Sequence, residues 1–386
     1  MQQTLPLDRS TTNSPPWSIR MADSVISRYS PAIAQWHYEH GLILTALEQI
    51  WIKTGDAKYR AFVQAVIDAF VDGDGNIRTY RAGEYNLDQI NMGKAIFPLY
   101  RATGDERYRR ALQLLRQQLR DHPRTAAGGF WHKQIYPYQM WLDGVYMAGP
   151  FYAEYGQVFD EPANFDDVAH QIILIEERTR DPQTGLLYHA WDERKQQRWA
   201  DPETGRSPHL WGRALGWYVM AIVDTLDFMP ADHPQRPAII AILERLAAAI
   251  GRVQDAASGL WYQVLDQGRR AGNYHEASAS CMFVYAIAKG VRRGCLDRSC
   301  WPIAERGYAG ILRELVAVDQ HGLVDLLGTC SVAGLGGEPY RDGSYEYYVG
   351  EPTAVNDFKG VGPFILASVE IERAQADRLD QEQRAV

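Results

Sequence analysis

Two aspartates stand out among the residues that could do chemistry, because their surroundings along the chain differ. Asp143 lies in the apolar and aromatic run YQMWLDGVYM, residues 138–147, whereas Asp88 lies in the more polar stretch NLDQ. Burial among apolar side chains raises the pKa of a carboxyl, so that it can donate a proton near neutral pH. Two carboxylates that face one cleft are typical of acid–base catalysis at a glycosidic linkage. We therefore expect Asp143 to be the main proton-transfer residue, with a raised pKa.

Aromatic and basic side chains that suit a saccharide recur in the segments around and beyond these aspartates. Indole rings stack on sugars, and the planar guanidinium of Arg213 fits a carboxylate. Each candidate also has a plain structural explanation, as a helix N-terminal carboxylate, a core histidine or tryptophan, or one partner of an ion pair. The binding candidates are His132, Trp141, His189, Trp211, Arg213 and Trp217, and further polar or aromatic candidates are Trp36, His275, Asn356, Asp357 and Lys359.

The segments that carry these residues are mostly helical by their periodicity. Apolar residues recur at i, i+3, i+4 and i+7, which is the spacing of one helix face. Alternating runs that indicate strands are few and short, as in GLLYHAWD and GLWYQVLD. The sequence predicts an all-α chain with short β excursions, and its clearest helical segments are GLILTALEQIWIKTG, KYRAFVQAVIDAFV, RYRRALQLLRQQLRD and PAIIAILERLAAAIGRV.

Two kinds of internal repeat organise these helices. TGDAKYRAF at 54–62 returns as TGDERYRRA at 103–111, with a glycine that suits a helix C-cap and an aspartate that suits the next N-cap. In a second series, a polar or aromatic cluster precedes, or begins, a helix that is otherwise small and apolar. The six members of this series begin at Trp36, Asn86, Met140, Leu210, His275 and Glu351.

Six such helices alternating with amphipathic ones predict an (α/α)6 barrel, with an inner ring surrounded by an outer ring. The N-termini of the inner helices would meet at one mouth, where a site is expected. We predict one catalytic domain over residues 18–375, a loose N-terminal arm at 1–17 and a polar C-terminal tail at 376–386.

Composition limits the class of protein further. The formal net charge of −8 argues against a nucleic-acid-binding face, although a local cluster of Arg and Lys could still bind a small anion. The N-terminus has no apolar signal-peptide core, and no run of about 18 apolar residues occurs, so we expect a cytoplasmic protein that does not span a membrane. The four cysteines have no metal-ligand spacing and are expected to be reduced. No metal or cofactor motif appears, so the reaction is expected to need water alone.

Taken together, five motifs resemble those of the unsaturated rhamnogalacturonyl hydrolases, glycoside hydrolase family 105. They are YQMWLDGVYMAGPF, NLDQ, LYHAWD, LWGRALGWY and EPTAVNDFKGVGPF. The resemblance covers most of the chain and implies an (α/α)6 barrel acting on small anionic pectin oligosaccharides. It also implies an unusual reaction, in which the enzyme hydrates the C4=C5 enol ether of a 4,5-unsaturated galacturonic acid and does not attack the anomeric carbon.

The same resemblance implies roles for individual residues. Asp143 is expected to act as general acid and then as general base, while Asp88 holds the sugar and raises the pKa of its partner. Arg213 is the expected contact of the uronate carboxylate. The uronate subsite is expected to be lined by His189, Trp211, Arg213 and Trp217, with Tyr38, His132 and Trp141 as further cleft residues.

Three alternatives stay open at this point. An unsaturated glucuronyl hydrolase acting on glycosaminoglycan fragments would share the barrel and the chemistry, and would differ in the next sugar. Another enzyme on this barrel is a second alternative, either an inverting glycosidase with two separate carboxylate roles or an epimerase with bases such as His189 and His275. A non-catalytic saccharide-binding protein would have no carboxyl with a shifted pKa. The sequence determines neither the substrate length nor the oligomeric state.

Overall fold

Helices make up nearly all the regular structure of the computed structural model, which describes residues 14–384, with side chains described as far as residue 377. Most of the predicted N-terminal arm, residues 1–13, lies outside the described residues, as do the last two residues of the predicted tail. The helices are α1 (Trp17–Arg28), α2 (Tyr38–Thr54), α3 (Ala57–Asp68), α4 (Ile96–Thr103), α5 (Glu106–Asp121), α6 (Leu142–Val158), α7 (Ala163–Thr179), α8 (Gly212–Thr225), α9 (Arg236–Arg252), α10 (Ala277–Arg292), α11 (Trp301–Glu314), α12 (Tyr345–Gly350) and α13 (Phe358–Arg384).

Six of these segments form a closed inner ring. In ring order they are α2, the segment that ends in α4, α6, α8, α10 and α13, and α13 packs back against α2. A second layer lies outside, where α3, α5, α7, α9, α11 and α1 each pack against at least one inner segment. The (α/α)6 barrel that the sequence predicts is therefore confirmed.

The TGD repeat is the turn that connects an inner helix to the next outer helix. Gly55 and Gly104 end α2 and α4 in the left-handed region, with φ of 72° and 65°. Asp56 and Asp105 then cap α3 and α5, and each side chain accepts a hydrogen bond from the backbone N–H two residues on. Both cap predictions are confirmed.

Small residues let the inner helices approach closely. A Cβ added at Gly41 of α2 would lie 2.7 Å from the Met92 Cα, and one at Gly362 of α13 would lie 2.5 Å from the Leu42 Cγ. These contacts join three neighbouring inner segments, so the glycines close part of the ring.

The second inner segment is less regular than predicted. Residues Leu87–Gln89 and Asn91–Ala95 form 3-10 helices, and the α-helix begins only at Ile96. Pro98 explains the late start, because it has no N–H to donate to the carbonyl of Lys94 and its ring crowds that carbonyl. Asp88 consequently lies in a 3-10 turn, where its own N–H donates to the Asn86 side chain.

Short strands form three two-stranded antiparallel ribbons. β1 (Gln139–Trp141) pairs with β2 (Ala190–Asp192), β3 (Val316–Val318) with β4 (Val324–Leu326), and β5 (Thr329–Cys330) with β6 (Thr353–Ala354). The run GLLYHAWD includes β2, as predicted, whereas GLWYQVLD makes isolated bridges only. The first ribbon leads directly into α6 and later proves to position Asp143.

Apolar side chains fill the space between and within the two rings as one large core. A separate small cluster of Trp141, Ala190, Trp199 and Leu335 packs beside the β1–β2 ribbon. Between residues 14 and 384, no helix is both long enough and apolar enough to cross a bilayer.

The inner helices also carry a buried cluster of charges. Lys289 Nζ lies 2.6 Å from carboxylate oxygens of both Asp224 and Asp227, and Arg101 lies 2.5 Å from Glu154. The members contributed by the six inner segments, in chain order, are Glu48, Lys94, Glu154, Asp224, Lys289 and Glu370. Burial, reinforced by the charge of Glu154, raises the pKa of Glu48 to about 8.

This raised pKa predicts that the protein loses stability as the pH rises. Between about pH 4.5 and 8 the unfolded chain releases the Glu48 proton while the folded chain retains it, so folding becomes less favourable across that window. Glu48→Gln should therefore increase the free energy of unfolding by about 2–4 kcal/mol at pH 8.5 and much less at pH 5. Urea unfolding at both pH values measures this, with the exposed Glu177→Gln as control. An equal effect at both pH values would contradict the assignment.

Candidate active site

The β1–β2 ribbon places Asp143 against His189. Trp141 at the end of β1 is paired with Ala190 of β2, and the next N–H, that of Leu142, donates to the carbonyl of His189 at 3.0 Å. Asp143 follows in the first turn of α6, near the positive end of the helix dipole. Its Oδ2 lies 3.1 Å from His189 Nε2, although the ring N–H does not point directly at that oxygen. Such imperfect alignment is common in active sites without substrate.

His189 is enclosed, whereas Asp143 remains accessible. The side chain of His189 is 0% exposed and that of Asp143 is 14% exposed, so a ligand can touch the carboxyl but not the imidazole. On its other side, His189 Nδ1 lies 2.8 Å from the hydroxyl of Tyr348. The ring packs edge-on to Trp141 and at a tilt to Trp211, with centroid distances of 5.2 and 4.7 Å.

The expectation of a raised pKa for Asp143 is wrong for the protein without substrate. Burial does raise the pKa of this carboxyl, but the neighbouring His189, followed by His132, outweighs that effect and leaves the pKa below its ordinary value. The apolar neighbours were visible in the sequence, and the histidine contact was not. Asp143 is therefore ionised at neutral pH in the empty site.

Asp88 has a separate set of partners. Lys133 Nζ lies 2.5 Å from its Oδ2, and His132 Nε2 lies 3.6 Å from its Oδ1. Burial raises the pKa of Asp88, but Lys133 and His132 together lower it below the ordinary value. Burial also lowers the pKa of His132 to about 4, so this ring is neutral at pH 7. Lys133 thus compensates the Asp88 charge, which weakens the expected effect of Asp88 on the pKa of Asp143.

Aromatic rings form the walls around the two carboxylates. The rings of His132 and Tyr136 both stack on the Trp141 indole, at centroid distances of 4.6 and 4.9 Å. On the opposite side, Trp211 stacks on Tyr348 with an interplanar angle of 24°. These flat apolar faces are suited to the C–H faces of a pyranose ring.

Tyr38 links the walls. It lies in the first turn of α2, edge-on to Trp217 at 6.1 Å. Burial raises the pKa of its phenol well above the ordinary value, and the charges of Asp88, Arg213 and Asp143 also act on it. Tyr38 therefore lies near both carboxylates and the arginine, and its phenol stays protonated.

Arg213 is a buried cation with unused hydrogen-bonding capacity. Only 1% of the residue is exposed, and its Nη1 donates to the carbonyl oxygen of Cys330, which is the one hydrogen bond of its side chain among the described residues. Its guanidinium lies 4.8 Å from the ring of Trp211. The remaining N–H donors could bind an anionic group.

The structure brings the two aspartates and the seven binding candidates to the mouth of the barrel, and it places two of the further candidates elsewhere. His275 lies 3.5 Å from Glu314, away from this group, and Asn356 binds the backbone N–H of Leu326. Trp36 supports the site indirectly, because its indole N–H donates to the Gln89 carbonyl at the end of the turn that carries Asp88. Asp357 and Lys359 do lie at the mouth, where Lys359 Nζ also contacts Glu39 at 2.6 Å.

Sequence reasoning missed Lys133 and Tyr348. Lys133 follows His132 directly in FWHKQ, so its position next to a candidate was a usable signal. Tyr348 lies in SYEYYVGEP among other tyrosines, and nothing in that run distinguishes it. Only the contact of α12 with the barrel mouth reveals its role.

Comparison with known proteins identifies relatives over nearly the whole chain. Residues 17–375 match the family described as Glycosyl Hydrolase Family 88. A solved structure of a family 105 glycoside hydrolase from C. acetobutylicum ATCC 824 is 48% identical, with a TM-score of 0.90, and the match covers 93% of this chain and 100% of that one. A 24.9 kDa protein in the picA locus of Rhizobium radiobacter is 40% identical over 230 residues, 58% of this chain and 97% of that protein. The unsaturated rhamnogalacturonyl hydrolase YesR of Bacillus subtilis is 26% identical over 271 residues, 69% of this chain and 74% of that enzyme.

The Asp88–Lys133 pair predicts a pH-dependent loss of stability when the lysine is removed. Lys133→Met leaves a buried carboxylate without its cation, which should lower the free energy of unfolding at pH 7 by about 2–3 kcal/mol. In the wild type, the contribution of Asp88 is present above about pH 4 and is lost as the pH falls through its lowered pKa, so the difference between the two proteins should shrink when the pH is lowered from 7 to 3. Urea unfolding at both pH values, with the exposed Lys195→Met as control, measures the difference. A deficit that persists undiminished in acid would argue against this pairing.

Proposed function

Because this chain belongs to glycoside hydrolase family 105, and to the wider group described as Glycosyl Hydrolase Family 88, we propose that it removes the terminal 4,5-unsaturated galacturonic acid from rhamnogalacturonan oligosaccharides. The chain is a glycoside hydrolase of the unsaturated glycuronyl type. The observation that carries the finer proposal is the accessible Asp143 beside an enclosed histidine, at the same mouth as a buried arginine and several aromatic rings. The similarity to YesR supports the choice of rhamnogalacturonan as the substrate.

In the proposed reaction, Asp143 acts first as an acid and then as a base. Its proton is transferred to C4 of the unsaturated uronate, and the ring oxygen stabilises the positive charge that develops at C5. Water then adds to C5 and returns a proton to Asp143. The resulting hemiketal opens, and the hemiacetal left at C1 expels the rest of the saccharide. One carboxyl can serve both steps because the reaction has no net consumption of protons.

The lowered pKa of Asp143 requires that substrate binding supply the acidic form. A bound uronate brings a negative charge into the site and excludes water, and both changes favour the protonated carboxyl. The charge of Arg213 offsets part of this effect if it pairs with the uronate. We therefore propose that Asp143 takes up its proton as the substrate binds, and that the empty site keeps it ionised.

Asp88 and Arg213 bind the substrate in this proposal. Asp88 remains ionised beside Lys133, so it can accept hydrogen bonds from sugar hydroxyls. Arg213 presents its free N–H donors to the uronate carboxylate while Trp211 packs against the guanidinium. The other candidate residues, His132, Trp141, Trp217 and Tyr38, shape the walls.

We also propose that residues 18–375 form one catalytic domain in the cytoplasm. Support for a single unit comes from the closed ring of inner helices and from one family match spanning residues 17–375. The four cysteines are all free, which suits a reducing compartment.

Loss of the Asp143 carboxyl should abolish turnover without abolishing binding. Asp143→Asn cannot transfer a proton but keeps the shape of the side chain, so kcat should fall at least about 1,000-fold while substrate affinity changes little. The assay follows the ultraviolet band of the unsaturated uronate in a lyase-generated rhamnogalacturonan disaccharide, and calorimetry measures binding. The exposed Asp201→Asn serves as the control and should behave as wild type.

Two outcomes of that assay would contradict the proposal. Retention of the ultraviolet band with wild-type protein on every unsaturated oligosaccharide would exclude the hydration reaction. Consumption of an unsaturated glycosaminoglycan disaccharide in preference to the rhamnogalacturonan one would replace the proposed substrate with that of a glucuronyl hydrolase.

Arg213 should determine the preference for an anionic substrate. Arg213→Lys loses the planar donor fork, so KM for the uronate should rise about 10–100-fold, with a smaller change in kcat. The methyl ester of the same disaccharide provides the control, because it lacks the charge that Arg213 is proposed to bind. Wild type should prefer the acid strongly and the variant only weakly. An unchanged preference in the variant would assign the carboxylate contact to another residue.

A further inference from the structure

We propose that Tyr348 is a positioning residue for this reaction, whose hydroxyl, 2.8 Å from His189 Nδ1, donates to that nitrogen and thereby keeps an imidazole proton on Nε2, facing Asp143. The inference rests on the proposed function of Asp143. It assigns Tyr348 a defined task in proton transfer, although the tyrosine itself does not touch the reacting atoms.

Asp143, His189 and Tyr348 follow one another from the mouth of the barrel into its core. Asp143 Oδ2 lies 3.1 Å from His189 Nε2, and His189 Nδ1 lies 2.8 Å from the Tyr348 hydroxyl. Both His189 and Tyr348 are 0% exposed, so water does not compete for either ring nitrogen. Within the described part of the chain, each nitrogen of His189 has one polar neighbour, Tyr348 on one side and Asp143 on the other.

A neutral imidazole carries one N–H, and the hydrogen bond at one nitrogen decides which nitrogen bears the proton. If the Tyr348 hydroxyl donates to Nδ1, then Nδ1 is an acceptor and Nε2 must carry the hydrogen. His189 then donates to Asp143 Oδ2. In the opposite tautomer the lone pair of Nε2 would face Asp143, and it could take up the very proton that Asp143 must deliver.

Tyr348 is held firmly enough to impose this choice. Gln263 Nε2 donates to the Tyr348 carbonyl at 3.0 Å, while the same amide accepts from the Trp211 indole N–H at 3.0 Å. The Trp211 ring also stacks on the Tyr348 phenol. Burial raises the pKa of the phenol well above its ordinary value, and the charges of Tyr347 and Asp143 add to this effect, so the hydroxyl keeps its proton.

Other titratable groups around these three residues come from several elements. The groups near the Asp143 carboxyl are His132, Tyr38, Asp88, Lys133 and Arg213. The groups around the Tyr348 phenol are Tyr347, Arg341 and Cys330. None of them has a polar atom within hydrogen-bonding distance of His189 among the described residues, so Tyr348 is the polar neighbour that acts on Nδ1, as Asp143 acts on Nε2.

The two oxygens of Asp143 consequently have different roles in the reaction. Oδ2 accepts from His189 Nε2–H throughout, which leaves Oδ1 to carry the proton. That proton goes to C4 as the C4=C5 electron pair forms the new C4–H bond, and the water that adds to C5 returns a proton to Oδ1. With the proton on Nε2, that nitrogen has no free lone pair, so His189 does not act as a competing base.

Tyr348→Phe tests the proposal, because it removes the donor and keeps the ring that stacks on Trp211. Without the hydroxyl, Nδ1 can bear the proton and Nε2 can take the acid proton of Asp143. We expect kcat to fall about 10-fold or more, KM to change less than about 3-fold, and the alkaline limb of the kcat profile to move to lower pH. The matched control is Tyr345→Phe on the same helix, whose hydroxyl binds the carbonyls of Arg270 and Ala271 outside the site.

A second measurement does not depend on activity. Nitrogen-15 spectra of histidine-labelled wild-type protein, with His189 assigned by its absence in His189→Gln, report which ring nitrogen is protonated. A protonated Nε2 and an unprotonated Nδ1 at neutral pH are expected. The reverse tautomer, or a doubly protonated ring, would overturn the proposal, as would a Tyr348→Phe enzyme with wild-type kcat and pH profile.

These results separate the two levels of inference. If wild-type protein fails to consume any unsaturated oligosaccharide, the proposed function is wrong, whatever the tautomer of His189. If wild type is active and Tyr348→Phe matches it, the proposed function stands and only the role of Tyr348 is rejected.

Discussion

A carboxylate that is withdrawn from water must find a partner, and this requirement shapes the mouth of the barrel. Asp143 has His189 at 3.1 Å, Asp88 has Lys133 at 2.5 Å, and Glu39 has Lys359 at 2.6 Å. An unpaired buried charge would cost several kcal/mol, so the folded arrangement depends on these contacts. The partners differ in kind, and the difference matters for chemistry. Lys133 is a cation beside Asp88, whereas His189 presents one ring nitrogen to Asp143.

The pairing works because the (α/α)6 ring brings distant parts of the chain to one face. Asp143 begins α6, Arg213 begins α8 and Tyr38 begins α2, and all three helices point their N-termini toward the mouth. Short ribbons then refine the positions. The β1–β2 pairing sets Asp143 beside His189, and the β5 strand supplies the Cys330 carbonyl that holds Arg213. The ring of helices thus sets the approximate positions of these side chains, and a few backbone hydrogen bonds set their final positions.

Several expectations from the sequence agree with the structure, and those that are wrong have identifiable physical causes. The helices, the caps of the TGD repeat and the gathering of the nine candidate residues were all readable from local patterns, because capping and periodicity act over a few residues. The start of the second inner helix was misplaced, since the effect of Pro98 on residues 91–95 was overlooked. The pKa of Asp143 was predicted in the wrong direction, because its apolar neighbours are adjacent in sequence and its histidine is not. The catalytic and binding roles themselves stay predictions until they are measured.

The amino-acid sequence by itself determined the barrel, the order of its helices and the side chains available at the mouth, because these follow from short-range periodicity and residue chemistry. Only the tertiary structure decided which side chain each carboxylate meets. His189 and Tyr348 are 159 residues apart, and no local pattern relates them. Their contact exists because the fold places α12 against His189, just before β2, and against Trp211. Whether Asp143 is an acid or an ion in the empty site depends on that long-range packing, since burial and pairing act on its pKa in opposite directions.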